Sequence, residues 1–380
     1  MKILAIETSC DDTCAAVMED DRVLASVVSS QVDLHKKWGG VVPNLAKRAH
    51  EDRIKTVIAT ALIRSKIPNP SPPPSLDRAG ENGELETWLK LIDVIAVTTG
   101  PGLAPALGVG VETAKELAKK YKKRLVEVNH IEGHLLSNWI KNKNGKPERK
   151  MEFPALSLTV SGGHTKIILI NQNPSPTLPL TGQGTDKEKR FIYQVIGETL
   201  DDAAGEALDK AAKLLGLGYP GGPVVERVAM GGNKNFLTLP HPLADKKILD
   251  FSFSGLKTSF YYQIKDWPAE KINKHLGNLA ASFQEAVLEH LIRKFKLAIE
   301  KYRPKMLLAS GGVMANRALR KKLRALAKET GLKIYLPAKK EWNTDNAAMI
   351  GMAGYFKAMR GEYVEDIEKL DRKPRWEIGD

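Results

Sequence analysis

Residues 3–19 read ILAIETSCDDTCAAVME: an apolar strand, a tight polar turn and a second apolar strand. Residues 155–171, ALSLTVSGGHTKIILIN, repeat that plan, with Ser161, Gly162, Gly163, His164 and Thr165 as the turn. A second kind of unit also occurs twice. Residues 94–118, VIAVTTGPGLAPALGVGVETAKELA, and residues 306–323, MLLASGGVMANRALRKKL, are each a buried-type strand, a glycine turn and a helix. The order hairpin, strand–glycine–helix, and then the same again, predicts two similar α/β halves facing each other across a cleft. Glycine turns after strands present backbone N–H groups there, which suits phosphate. The G-x-G-x-x-G fingerprint is missing from the required position and G-x-x-x-x-G-K-[ST] is absent, which argues against a Rossmann dehydrogenase and a P-loop NTPase.

The chain has 380 residues, long enough for two domains with separate cores. Hydrophobic residues make up 42% and charged residues 27%, an ordinary balance for a globular protein. No apolar run approaches the roughly 20 residues that span a bilayer, so no membrane association is expected. The start, MKILAIETSC, enters a strand directly and does not read as a signal peptide, which points to a cytoplasmic protein. Cys10 and Cys14 are the two cysteines, too few for a disulfide framework or a four-thiolate zinc site. The net charge of +13 includes a basic cluster, Arg317, Arg320, Lys321, Lys322 and Arg324. It lies on a helix whose Leu319, Leu323 and Leu326 face inward. Any one such cluster reads as a solvated face, but the total excess favours a polyanionic partner such as RNA.

Two segments read as loop insertions: residues 67–85, IPNPSPPPSLDRAGENGEL, and residues 171–190, with the apolar FIYQVIG after the second as a returning strand.

NHIEGHLLSN, residues 129–138, places His130 and His134 four apart, so on a helix their Cβ atoms stand about 5–6 Å from each other on one face. Both rings reach one cation from there, or they are two polar residues at a helix edge. H-E-x-x-H is not met, because Glu132 sits two residues after His130, and this counts against a metalloprotease. A third ligand has to come from elsewhere. Asp345 is the candidate, in the first turn of a helix capped by Asn343 or Thr344, where an acid is also favoured by the helix dipole alone. In ETSCDDT, Glu7, Asp11 and Asp12 crowd a turn that would face phosphate, so at least one has to be protonated, paired or turned away. In residues 197–223, Asp201, Asp202, Glu206 and Asp209 lie near a helix start that ends in YPGGP. They serve the dipole, or bind ribose or an amine.

Taken together, ETSCDDT, SQVDLHKKWGGVVPNLAKRAH, TTGPGLAPALGVG, VNHIEGHLLS, TVSGGHTKI, GETLDDAAGEALDKAAKLLGL, YPGGP, FSFSGLKT, SGGVMANRALR and TDNAAMIGMAGY resemble one family, in order, from about residue 2 to 360. It is the tRNA adenosine threonylcarbamoyltransferase family, formerly the glycoprotease or O-sialoglycoprotein endopeptidase family, in its bacterial or organellar form. The resemblance implies an actin-like ATPase fold of the α/β class, with two related RNase H-like halves around a nucleotide cleft. One lobe would take residues 1–135 plus 345–380, and the other residues 136–344. It implies one divalent metal, iron or zinc, on His130, His134 and Asp345. Substrate-binding positions fall on Thr159, Val160, Ser161, Gly162, Gly163, Asp209, Gly222 and Asn316, and Asp11 is the catalytic acid/base candidate. The implied reaction moves a threonylcarbamoyl group from threonylcarbamoyl-AMP to an adenosine amine beside the tRNA anticodon. Implied partners are tRNA and either a non-catalytic paralogue with a small ATPase or a second copy of the chain. A nucleotide-binding scaffold without catalysis is the rival reading. Asp12 stands where glutamate is common in the family, Cys14 where glycine is, and Trp342–Asn343 where a cysteine is usual.

Overall fold

The computed structural model describes residues 1–67, 82–172, 191–244 and 248–379. Strands β1 (Lys2–Glu7), β2 (Asp12–Glu19) and β3 (Arg22–Ser30) lead to helices α1 (Val32–His35), α2 (Pro43–Ser65) and α3 (Asn82–Lys90). Then come β4 (Val94–Gly100), α4 (Ala104–Tyr121), β5 (Arg124–Asn129) and α5 (His130–Leu136). The second run opens with β6 (Ala155–Val160), β7 (Thr165–Gln172), β8 (Phe191–Glu198), α6 (Ala204–Leu214) and α7 (Gly221–Ala229). It continues through α8 (Ser254–Ile264), α9 (Ala269–Lys274), α10 (Leu276–Tyr302), β9 (Met306–Ser310), α11 (Arg317–Thr330), β10 (Lys333–Tyr335) and α12 (Ala347–Met359).

The strands form two five-stranded sheets of one topology, β3-β2-β1-β4-β5 and β8-β7-β6-β9-β10. In each, the first strand pairs antiparallel with the second and parallel with the fourth: Ile3 faces Met18 and Val94, and Ala155 faces Ile170 and Met306. The repetition therefore extends beyond the two units legible in the sequence, to the outer strands β3 and β8. Every residue of β4, β6 and β9 is buried, which is why these strands are apolar runs and not alternating ones.

Helices α2 and α4 cover one face of the first sheet. The opposite face takes α12, which follows the second sheet in sequence but packs on the first. Small residues allow that approach: Gly351 lies against Met18 and Ala5, and Gly354 against Ala96. A third core, in the second lobe, is filled by Phe251, Phe253, Phe260, Phe283 and Phe295, all fully buried, each contributing about 1.5–3 kcal/mol of apolar transfer. Helix α11 buries Leu319, Leu323 and Leu326 as its spacing predicts.

Both insertions are shorter than their composition indicates. Residues 82–85 belong to α3, which is anchored by the buried Trp88 and Leu89. Asn171 and Gln172 extend β7 by pairing with Ile192 and Phe191 of the returning strand, so sheet pairing overrides their local polarity. The remainder of both insertions, 68–81 and 173–190, lies outside the described residues. Among the described residues no helix is long and apolar enough to cross a membrane.

Candidate metal centre

Strand β5 ends at Asn129, whose side-chain oxygen accepts from the N–H groups of Ile131 and Glu132 and starts α5. One helical turn then sets His130 and His134 together, ring centroids 4.7 Å apart and nearly perpendicular. Glu132 is engaged elsewhere: it accepts from the Tyr193 hydroxyl at 3.1 Å and lies 3.9 Å from Lys357 Nζ. The helix after Asp345 is capped differently from the sequence expectation. Asn346, not Asn343 or Thr344, is the cap, accepting from the Met349 N–H, so Asp345 precedes α12 and is not in its first turn. Asn346 wins because its side-chain oxygen reaches the N–H three residues on. Asp345 is thereby released from the helix, and its Oδ1 stands 3.2 Å from His134 Nε2 and 3.5 Å from His130 Nε2. Cys14, behind it, donates its thiol to the Asp345 carbonyl.

Ligand atoms of His130, His134 and Asp345 all lie within 4.8 Å of one another. His134 is fully buried, its Nδ1 without a hydrogen-bond partner and its Nε2 facing the Asp345 carboxylate at 3.2 Å. Burial holds that imidazole toward its neutral, ligating form, with Asp345 pulling the other way. His130 is steered from behind: Glu7 Oε2 and Ser9 Oγ sit 3.0 and 3.1 Å from Nδ1. Burial opposes a charge on His130, but Glu7 and Asp345 outweigh it and push its pKa up to about 10. A divalent cation at Nε2 would replace that proton between the same carboxylates. Burial disfavours the Asp345 carboxylate, yet the two imidazoles hold its pKa well below the usual range. Two imidazoles and a carboxylate, one imidazole backed by a glutamate, suit iron or zinc.

The carboxylates of the first turn resolve in different ways. Glu7 is inward and paired, accepting from Thr98 Oγ1 at 2.6 Å as well as facing His130. Asp12 is pushed up to about 7, chiefly by burial. Burial also raises Asp11, against a hydrogen bond from Cys10 and with the help of Asp345. Gly102 closes the back of this turn: Leu103 donates to the Ser9 carbonyl, and a side chain at Gly102 would overlap Ser9.

The sequence-derived substrate positions separate into wall and rim. Thr159 is fully buried, its hydroxyl 3.2 Å from that of Ser310, and Val160 is buried beside it. Ser161 accepts from the His164 N–H, while Gly162 and Gly163 are exposed with open space beside them. Gly205 at the start of α6 packs on the backbone of Ser161 and Gly162. Asp209 accepts from the N–H groups of Gly221 and Gly222 at 2.7 and 3.0 Å, fastening the YPGGP turn to α6. Asn316 caps α11 and donates to Gln284. Asp201 likewise supports the fold, accepting from the N–H groups of Phe253 and Ser254 at the start of α8. Burial raises the Tyr219 phenol, with Asp11 and Asp209 adding to the shift.

Sequence reasoning missed two participants, Ser9 and His164, and the role of a third, Glu7, which it named only among the crowded acids of the first turn. Glu7 and Ser9 support His130, and His164 reaches across from the second lobe with its ring 6.2 Å from that of His130. Burial, then the two neighbouring histidines, push His164 down to about 3. A lone histidine in a glycine turn carried no signal of that neighbourhood.

The chain matches the family model described as tRNA N6-adenosine threonylcarbamoyltransferase over residues 22–70 and 83–352. It is 46% identical to the protein of that name from Thermosipho melanesiensis over 93% of this chain and 94% of that one. It is 42% identical to the one from Anaeromyxobacter sp. (strain Fw109-5) over the full length of both. Among solved structures, T. kodakarensis HypF superposes with a TM-score of 0.53 at 14% identity, over 94% of this chain and 49% of that one. That likeness concerns the fold, an actin-like ATPase arrangement of two related halves. With the family model matched over residues 22–70 and 83–352 and these relatives aligned over almost their whole length, this chain belongs to the tRNA N6-adenosine threonylcarbamoyltransferase family.

Proposed function

We propose that this chain transfers a threonylcarbamoyl group from threonylcarbamoyl-AMP to the exocyclic amine of the adenosine next to the anticodon in tRNAs reading ANN codons. The observation that carries this reading is the cluster of His130, His134 and Asp345 beside the Asp11 turn, facing the glycine turn of the other lobe. The amine nitrogen forms the new C–N bond at the carbamoyl carbon. The C–O bond to the phosphate breaks, AMP leaves, and the amine gives up a proton. The donor is a mixed anhydride, so no protein nucleophile is needed; the adenine amine is weak because its lone pair is delocalised. The difficult part is alignment, which alone supplies several kcal/mol, here about 7–11 at best. His130, His134 and Asp345 would hold a divalent cation, iron or zinc, which supplies Lewis acidity toward the donor's oxygens. Asp11 takes the amine proton, and its raised pKa makes it the better acceptor. Ser161, Gly162 and Gly163 hold the leaving phosphate, Thr159 and Val160 form the floor beneath them, and Asp209, Gly222 and Asn316 shape the nucleoside site.

In this reading, residues 1–135 with 345–380 form the lobe bearing the metal, and residues 136–344 the lobe bearing the nucleotide turns. The basic surface, Arg317, Lys321 and Arg324 among its exposed residues, docks tRNA. A cytoplasmic enzyme fits that substrate. It works with a non-catalytic paralogue and a small ATPase, or as a homodimer. The decisive experiment is mass spectrometry of tRNA nucleosides after incubation with purified, metal-loaded protein, its partners and chemically supplied threonylcarbamoyl-AMP. N6-threonylcarbamoyladenosine should accumulate; none formed while the adenylate is bound would favour a scaffold.

A further inference from the structure

The matched family segment stops at residue 352, yet the chain beyond α12 runs back over the metal-bearing lobe. There the Lys373 N–H donates to the Thr99 carbonyl at 2.6 Å, and the Gly102 N–H donates to the Pro374 carbonyl at 3.2 Å. Asn129 Nδ2 donates to the Trp376 carbonyl at 3.3 Å, and Lys373 Nζ reaches Glu127 at 2.7 Å. Gly100 is a glycine for this reason: any side chain there would overlap the Lys373 carbonyl. The last residues reach the other lobe. Glu377 pairs with Lys166 of β7 at 2.8 Å, Ile378 is buried in the core shared by both sheets, and Gly379 packs on the Tyr193 carbonyl of β8.

Four of these anchor points lead to the histidines. Asn129 is the residue whose oxygen caps α5, so the Trp376 carbonyl fixes the orientation of that cap. Thr98, adjacent to the Thr99 anchor, holds Glu7, which faces His130. Gly102 backs Ser9, whose hydroxyl is 3.1 Å from His130 Nδ1. Tyr193, pinned by Gly379, donates to Glu132 on α5 itself. We propose that residues 372–379 are a strap that holds α5 in its metal-ligating position and ties the two lobes together while contributing no ligand. The strap is a positioning segment, and its role rests on the metal reading above.

The test uses cobalt(II) as the probe, on the full chain and on a chain ended after Asp371. The strap's loss should weaken cobalt affinity about 10–100-fold, as loss of outer-shell support does, and alter the visible ligand-field bands. A synthetic peptide of residues 371–380, added in excess, should restore both. Should the shortened chain fail to fold, Gly100→Ala carries the test, since it displaces Lys373 in a full-length protein. Unchanged cobalt affinity and spectrum in either folded variant would overturn the strap. A full chain that takes up no cobalt would instead overturn the metal reading, and the strap's role with it.

Discussion

The turn between β1 and β2 carries Asp11, with Asp12 opening β2 and Glu7 ending β1 beside it, whereas its counterpart between β6 and β7 carries Ser161, Gly162 and Gly163. Both stand on the same strand order, and both are backed by a glycine from the following strand–helix unit: Gly102 against Ser9, Gly311 against Val160. One frame thus presents an acid-lined turn to one side of the cleft and an open backbone turn to the other. Carboxylates attract a cation and accept protons; bare N–H groups with no side chain in the way admit an anion. The two sheets share one strand order, and the few residues at each turn differ in the chemistry they offer.

The largest effect should come from emptying the acidic side. His130→Ala with His134→Ala removes two of three ligands, and transfer should fall by on the order of 10³ or more, equivalent to several kcal/mol of lost charge stabilisation. Elemental analysis for bound metal and nucleoside mass spectrometry together check this; retained metal and full activity would break the assignment. Next, Glu7→Gln keeps the shape but loses the charge facing His130. Metal affinity should drop about 10–100-fold while the melting temperature moves little, measured by competition with a chelator.

The open side is sharpened by two glycines. Gly311→Ala places a methyl on the Val160 carbonyl at φ +95°, a conformation side chains rarely adopt, and should cost about 1–3 kcal/mol or more in denaturant unfolding. Gly162→Ala meets open space, so stability should hold within about 0.5 kcal/mol while adenylate affinity falls in calorimetry. If the two substitutions behaved alike, the distinction between packing glycine and binding glycine would be lost. The smallest effect belongs to the surface. Lys321→Glu with Lys322→Glu should raise the apparent KM for tRNA a few-fold and flatten the salt dependence by roughly one phosphate contact. Lys322 already pairs with Glu285, so Lys321 should account for most of the change.

Much of this was legible in the chain before folding. The strand–turn–strand units and the strand–glycine–helix units appear as local patterns, because burial on both faces demands apolar runs and tight turns demand glycine. The spacing of His130 and His134 is likewise local, since four residues make one helical turn. The cap was harder: the sequence reading placed it at Asn343 or Thr344, and where α12 meets the first sheet moved it to Asn346. Glu7 looked like one of three competing acids until the fold turned it inward.

What the sequence determined alone is therefore the duplicated frame and the paired imidazoles, both set by contacts between near neighbours in the chain. Only the tertiary structure decided that Asp345 completes the cluster, that His164 faces it from the other lobe and that residues 372–379 brace it. Asp345 is brought in from far along the chain by the close seat of Gly351 and Gly354 on the first sheet, His164 by the turn between β6 and β7, and residues 372–379 by backbone hydrogen bonds to Thr99 and Gly102. No periodicity encodes such approaches, because they arise from the packing of whole elements.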